Sequence, residues 1–386
     1  MDGRSANRKQ GFSLLEMMIA MGLGTLVLAA AVQMYSRSLN ATWIVSQRAE
    51  MQQDFRAASN MLTKDLSMAG AGMGNNVQIA LPSGAGTQIP VYGCDQIPKC
   101  YINGTAVAYP TQVVSGVTVP YLYGLIPGWK FGPTINSGAG ATDAITIVNA
   151  DTIFLLNCYS ASVTTSTLVR FTLNSPLPAT CVIPPPLTAP QAVNDPVVGL
   201  TPGDLVQFNI TIGSGSGATT SSVIGEVTNV TKVSGTIYDV AFASGDPLRM
   251  NQPTAAAGSI KQIVGGTGSA NRINVISYFL DNTLSPPRLM RMISGHTPIP
   301  VAENVSFLQF SYDLYDFNAA MVYTDQSDGG ASKSLTPNQI TKINIKHMAM
   351  ASTMKGYTAY QGLDLQTSVS ARDLTFKNDY PLSSSP

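Results

Sequence analysis

Few side chains in this sequence could do chemistry, and most are scattered. There are two histidines, His296 and His347, and four cysteines, Cys94, Cys100, Cys158 and Cys181. Catalysis needs a nucleophile with its base, a metal, or paired carboxylates in one pocket. His296, in Ser294-Gly295-His296-Thr297, reads as a turn residue; His347, beside Met348 and Met350, reads as part of a strand. Gly213 to Gly217 places glycine where a nucleophile elbow needs serine. No zincin pair and no Walker loop occurs. Without a CxxC pair, and with the histidines remote, the cysteines are not a zinc set. Asp313, Asp316, Asp325 and Asp328 are the one group that calcium could use, yet Asp325 to Gly329 does not match an EF-hand loop and reads as a solvated hairpin turn. Nothing here points to an enzyme.

One acid is out of place. Glu16 is the only charge between Phe12 and Met34. Holding a carboxylate at the centre of a bilayer costs roughly 2.5–3.5 kcal/mol on insertion scales, so such a residue needs a function and a partner. It closes Gly11-Phe12-Ser13-Leu14-Leu15-Glu16, after a leader with Arg4, Arg8 and Lys9 and before a run, Met17 to Val32, whose only polar side chain is Thr25. The basic leader is the side that stays in the cytoplasm, and the run with its flanks is long enough to span a bilayer. A secretory signal peptide cleaved near Ala29-Ala30-Ala31, or a plain signal anchor, would account for the apolar run. Neither gives Glu16 a purpose.

The pattern resembles the processing site of type IV pilins and the secretion pseudopilins. The resemblance implies cleavage between Gly11 and Phe12 by a prepilin peptidase, methylation of the new amine at Phe12, and pairing of Glu16 with the terminal amine of a neighbouring subunit. The fold it implies is α+β: a long N-terminal helix, membrane-spanning in its first half, packed on a large antiparallel β-rich domain. Partners would be other major and minor pilins. The location would be the inner membrane with a periplasmic domain, then the pilus or cell surface. No cofactor is implied, although some pseudopilins bind calcium in loops like the aspartate-rich one above.

Composition agrees. Charged residues make up 11% of 386, and the net charge is zero. Losing residues 1–11 removes Arg4, Arg8, Lys9 and Asp2, which leaves 19 basic against 21 acidic residues. A nucleic-acid binder would show a basic stripe; a weakly charged surface suits packing among other subunits. Four cysteines outside the cytoplasm imply disulfides. Three connectivities are open, and proximity in sequence favours Cys94–Cys100 and Cys158–Cys181.

The elements that must position these residues follow from pattern. No proline precedes Pro82, so one helix is expected from Phe12 to about Met68. Residues 12–35 form its membrane segment and 36–70 an amphipathic continuation. Met51, Phe55, Ala58, Leu62, Leu66 and Ala69 recur at three and four, a stripe for the domain core, while Arg48, Glu50, Asp54, Arg56, Lys64 and Asp65 are left for other faces. Gly70 to Gly74 stops the helix. Residues 71–380 read as β-rich, with a loop-rich insert at about 77–143 and a frayed tail at 381–386. Expected strands include Ala144–Asn149, Thr152–Asn157, Thr167–Leu173, Leu205–Ile212, Ser222–Val230, Ile237–Ala241, Val275–Leu280, Arg288–Ile293, Val305–Tyr315, Lys342–Met350 and Thr367–Phe376. Gly213–Gly217 and Gly265–Ser269 read as flexible loops.

Within the β region, Thr142 to Val148, Pro202 to Val206, Ile224 to Val230, Ser277 to Leu280, Glu303 to Tyr312 and Val369 to Leu374 are similar, in order, to segments of PilW-type minor pilins. The expectation is therefore a PilW-like minor pilin. A type II secretion minor pseudopilin, with the same helix chemistry, and a pilus-associated adhesin, using the 77–143 insert, are the rivals.

Overall fold

Ser13 opens the first helix, α1, which runs Leu14–Ser67 without a break. The computed structural model describes residues 13–73, 78–82, 111–114, 117–135, 140–353 apart from short interruptions, 360–371 and 374. By contacts the chain forms two units, Met1–Gln53 with Ser352–Gln361, and Asp54–Ala351 with Gly362–Pro386. In the first unit the helix is exposed along almost all of its described length, and it is long and apolar enough to cross a membrane.

The second unit is a large, antiparallel, β-rich domain that includes the last turns of α1. Strands β1 (Gln78–Ala80), β2 (Thr111–Val114) and β3 (Val117–Tyr123) make a small sheet in the order β1-β3-β2. An 11-stranded sheet takes β4 (Leu125–Gly128), β5 (Ala144–Ala150), β6 (Tyr159–Thr165), β7 (Leu168–Leu173), β8 (Leu205–Ile212), β9 (Thr219–Glu226), β10 (Asn229–Ser234), β11 (Ile237–Ala241), β12 (Thr267–Asp281), β13 (Arg288–Ile293) and β14 (Ile299–Glu303). The third sheet holds β15 (Val305–Asp316), β16 (Met321–Gln326), β17 (Ile340–Thr353) and β18 (Tyr360–Val369), in the order β16-β15-β17-β18.

Strand β12 is the spine of the large sheet. Over Thr267–Ile273 it pairs with β8, over Ile273–Tyr278 with β5, and over Ile276–Asp281 with β13. Every residue of β5 is buried, Thr146 and Asn149 among them, so both of its faces are covered. An aromatic core with Phe171, Phe208 and Phe242 fills the β6–β9 end, where Phe208 meets Phe242 edge-on at 5.3 Å.

The helix enters this domain on its apolar stripe. Phe55, Ala58, Leu62, Leu66 and Ala69 are buried, as their spacing of three and four demands. Leu62 and Leu66 are fully enclosed, and each contributes roughly 1.5–3 kcal/mol relative to exposure. The glycine stop works by geometry. Gly72 has φ +71°, and a Cβ there would meet the Ala150 Cβ at 2.7 Å. The turn is then fixed to β5: Gly70 N donates to Val148 O at 2.8 Å, and Ala150 N to Ala71 O at 2.7 Å.

Several expectations need correction. Asp65 does not face solvent. It is 9% exposed, because the buried Tyr278 and the half-buried Arg291 satisfy its charge. Of the expected strand Thr152–Asn157, residues 152, 153 and 155 lie outside the described residues and Leu156 and Asn157 stand in a 3-10 turn, Leu156–Cys158; the strand that follows, β6, differs from the expectation. Ser222–Val230 is two strands, β9 and β10, parted where Val227 bonds Gly203 and Asp204 instead of continuing a ladder. Gly265–Ser269 is not a free loop throughout, since β12 begins at Thr267. Among the described residues the last strand is β18, which ends at Val369, within the Thr367–Phe376 expected.

Candidate functional site

Glu16 lies in the first turn of α1, among Leu14, Leu15, Met17 and Met18, all at least 62% exposed. Apolar side chains in that position suit lipid or neighbouring helices, not water. The carboxylate is not idle. The Ser13 amide donates to Glu16 Oε2 at 3.0 Å, and the Leu15 amide donates to Ser13 Oγ at 3.2 Å. The Ser-x-x-Glu spacing is that of a capping box, and half of it forms: the Glu16 side chain takes the Ser13 amide, while the Ser13 hydroxyl takes the amide of Leu15 in place of that of Glu16. The Ser13-x-x-Glu16 spacing that signals such a helix start is legible in the sequence. A carboxylate at a helix N-terminus also meets the positive end of the helix dipole. One oxygen of Glu16 is thereby held near the point where the chain enters the helix, and among the described residues Oε1 takes no hydrogen bond. Gly11 and Phe12 lie outside the described residues.

Further along the apolar run, Thr25 Oγ donates to the Gly22 carbonyl at 2.9 Å, so its hydroxyl is satisfied within the helix. A Cβ at Gly22 or Gly24 would meet nothing within 4 Å. Nothing in the single chain demands glycine at either place.

Among the cysteines, Cys158 and Cys181 form a disulfide with a Cα–Cα distance of 4.8 Å. It anchors the irregular segment between β7 and β8 to the 3-10 turn that precedes β6. Asn157 Nδ2 to Thr180 O at 2.7 Å, and Tyr159 OH to Gln191 O at 2.7 Å, hold the same segment. Burial pushes the Tyr159 phenol up to about 12, with Tyr238 adding to the shift, so it acts there as a neutral donor. Cys94 and Cys100 lie outside the described residues.

Other titratable groups form structural ion pairs. Arg272 forks onto Asp151, donates to Gly199 O at 3.0 Å and approaches Asp204 at 3.5 Å. His296 Nε2 faces Asp204 Oδ1 at 2.9 Å. Burial raises the Asp204 pKa, but the His296 hydrogen bond, the Thr201 amide and the Arg272 charge together bring it below the usual carboxylate value. His347 Nδ1 meets Asp364 at 2.8 Å. Neither imidazole has a hydroxyl or thiol nucleophile against it among the described residues.

The four aspartates weighed for calcium do not converge. Asp325 pairs with Lys346 at 2.8 Å. Asp313 accepts from the Asp325 amide, Asp316 from Asn318 and Ala319, and Asp328 from Gly330 and Ser332. Asp316 and Asp328 are committed to their own turns and Asp313 and Asp325 to bonds between strands, and among the described residues no three His, Cys, Asp or Glu side chains gather into a metal cluster.

Residues 6–32 match the family described as "Prokaryotic N-terminal methylation motif". No curated protein and no solved structure matches the chain significantly. The chain is thus type IV pilin-like at its N-terminus, with a prepilin methylation motif opening the helix that leads into an antiparallel β-rich domain.

Proposed function

We propose that the chain is a minor pilin of the PilW type, which primes or joins a type IV pilus. One observation carries the reading: a methylation motif with its acid in the first turn of a lipid-length helix, joined to a β domain of several hundred residues. The leader, residues 1–11, is removed by the prepilin peptidase and Phe12 becomes the methylated N-terminus. Residues 12–35 lie in the inner membrane, and the domain lies beyond it. On assembly the helix leaves the bilayer for a bundle of pilin helices, and Glu16 meets the terminal amine of a neighbour. Low charge and a continuous apolar helix surface support packing among other major and minor pilins. The second disulfide of the pair proposed, Cys94–Cys100, would close a small loop within the 77–143 insert.

Mass spectrometry of the processed N-terminus tests the reading. A methylated Phe12 is expected; an N-terminus at Val32 would contradict it. Glu16→Ala should leave membrane insertion intact and impair incorporation into fibres, scored by the amount of protein in sheared pili. Normal incorporation of that variant would remove the pairing role from Glu16.

A further inference from the structure

The buried acids Asp65 and Asp204 each have a guanidinium beside them. Two other buried acids face each other instead. Glu226, the last residue of β9, is 1% exposed and Asp246 is 5% exposed, and their side chains are hydrogen-bonded. Two carboxylates in contact away from water cannot both stay ionised, so the pair holds a proton between them. The surroundings fix where it sits. The Met250 amide donates to Asp246 Oδ2 at 2.5 Å, and the Asn251 amide donates to Oδ1 at 3.1 Å. Asp246 is therefore the acceptor, and Glu226 carries the proton.

The pair sits at the edge of a sheet. Among the described residues β9 pairs only with β8. Its outer edge at Glu226 is closed by a side chain. Glu226 N donates to Asn251 Oδ1 at 2.9 Å, and Asn251 Nδ2 donates to the carbonyls of Glu226 at 2.6 Å and Ala243 at 2.9 Å. Asn251 is itself placed by the bond from its amide to Asp246. Phe242 and Ile260 lie on either side of this stretch, and a Cβ on Gly225 would meet each of them at 2.7 Å. The connection between β11 and β12 thus lies against β9 at Phe242, at the carboxyl pair and at Ile260.

The neighbouring elements bring no cation to Asp246 among the described residues. Opposite Glu226 on β8 stands Leu205, and the Asp204 carboxylate before it is taken by Thr201, Arg272 and His296. Strand β1, which lies against β9, offers Gln78, Ile79 and Ala80, none of them charged. Asp239 of β11 is held by Arg170, and Lys261, on the 3-10 turn Ile260–Ile263, is exposed. Arg249 lies outside the described residues. Burial raises the Asp246 pKa, against the bonds from Asn251, Met250 and Glu226.

We propose that Glu226 and Asp246 form a proton-held latch, which keeps the connection between β11 and β12 on the edge of β9 and releases it when the shared proton is lost. Without that proton two negative charges stand side by side out of water. Asp246 then leaves for solvent, Asn251 loses the bond that places it, and the edge at Glu226 is uncovered. The released form binds one proton fewer, so rising pH favours it. The latch contributes fully below about pH 4 and its contribution is lost as pH rises through the raised value of the folded pair. It lies outside the methylation motif and works whatever becomes of the N-terminus.

The test uses the full chain in detergent micelles. Hydrogen exchange of the Met250 and Asn251 amides, corrected for the intrinsic effect of pH, reads the latch. Their protection should fall by about tenfold per pH unit from about pH 5 until the folded pair has lost its proton. The amides of β12 should keep theirs. Glu226→Gln, a donor that cannot ionise, should hold the Met250 and Asn251 protection level with pH. A wild type whose protection does not change between about pH 5 and 8 would overturn the proposal. So would a Glu226→Gln variant that loses protection as steeply, or a parallel loss in β12, since the opening would then have another cause. Should the variant fail to fold, carboxyl carbon shifts of the wild type decide: Glu226 should keep its proton well above the ordinary glutamate value of about 4.3, and titration at that value would overturn the latch.

Discussion

Asp143 shows how much one buried side chain can connect. It is 3% exposed and precedes β5, yet its amide donates to Leu308 O at 2.9 Å while its carboxylate accepts from the Phe310 amide at 2.8 Å and the Lys130 amide at 2.7 Å. It therefore staples the 11-stranded sheet to β15. Burial pushes its pKa up to about 6, against the opposing effect of the two amides and the Lys130 charge. The folded value lies above the unfolded one, so its contribution to stability is full below about pH 4 and is lost as pH rises through about 6. Between pH 4 and 7.5 the stability difference between wild type and Asp143→Asn should move by about 3 kcal/mol in favour of the variant. Urea midpoints at the two pH values measure this. A constant difference would mean the carboxyl titrates normally.

At the scale of elements, the joint between helix and sheet is polar at its centre. Asp65 Oδ2 accepts from Tyr278 OH at 2.7 Å and from Arg291 Nε at 2.8 Å, and Tyr278 and Arg291 face each other across β12 and β13. Burial first, then the Asp65 charge and hydrogen bond, raise the Tyr278 pKa, so the phenol stays a donor. Burial lowers the Arg291 pKa, but the Asp65 and Tyr278 contacts more than offset it. Asp65→Ala would leave the guanidinium buried and unpaired, at about 3–5 kcal/mol. Asp65→Leu with Arg291→Met should recover most of that loss. Denaturant unfolding of the three variants checks the coupling. An equal loss for single and double changes would refute it. The sequence did contain a clue: positions 58, 62, 65 and 69 share one helix face, and a lone acid on that face needs a partner within the sheet. Only the fold could say that the partner is 226 residues away.

Legibility varied in the same physical terms across the elements. The helix, bounded by the first turn and the glycines, was plain because no proline interrupts it. Leu205–Ile212, Ile237–Ala241 and Arg288–Ile293 matched observed strands because strong apolar patterns end at clear turns. Strand β6 was missed because Tyr159, Ala161 and Val163, its buried face, alternate with small hydroxyl residues that also suit loops. The division of β9 from β10 depends on bonds to Gly203 and Asp204, which local pattern cannot reveal.

At the scale of the molecule, the β domain combines close packing with long irregular connections. The Cys158–Cys181 bridge closes a loop of sequence separation 23. By loop entropy alone it contributes about 3 kcal/mol. Cys158→Ser with Cys181→Ser should therefore lower stability by about that amount and expose the 174–204 connection to protease. Limited proteolysis with and without reductant measures it, and an unchanged cleavage rate would show that the hydrogen bonds to Thr180 and Gln191 suffice to hold the segment. The domain's framework was thus readable as a class from the sequence, while its joints between sheets were not.

The way the helix ends has a mechanical consequence. Residues 70 and 71 are bonded to β5, and Asp65 to side chains on β12 and β13, so three neighbouring strands grip the last turns of α1. Tension drawn along the rod is therefore shared across the middle of the sheet and does not fall on the short glycine turn alone.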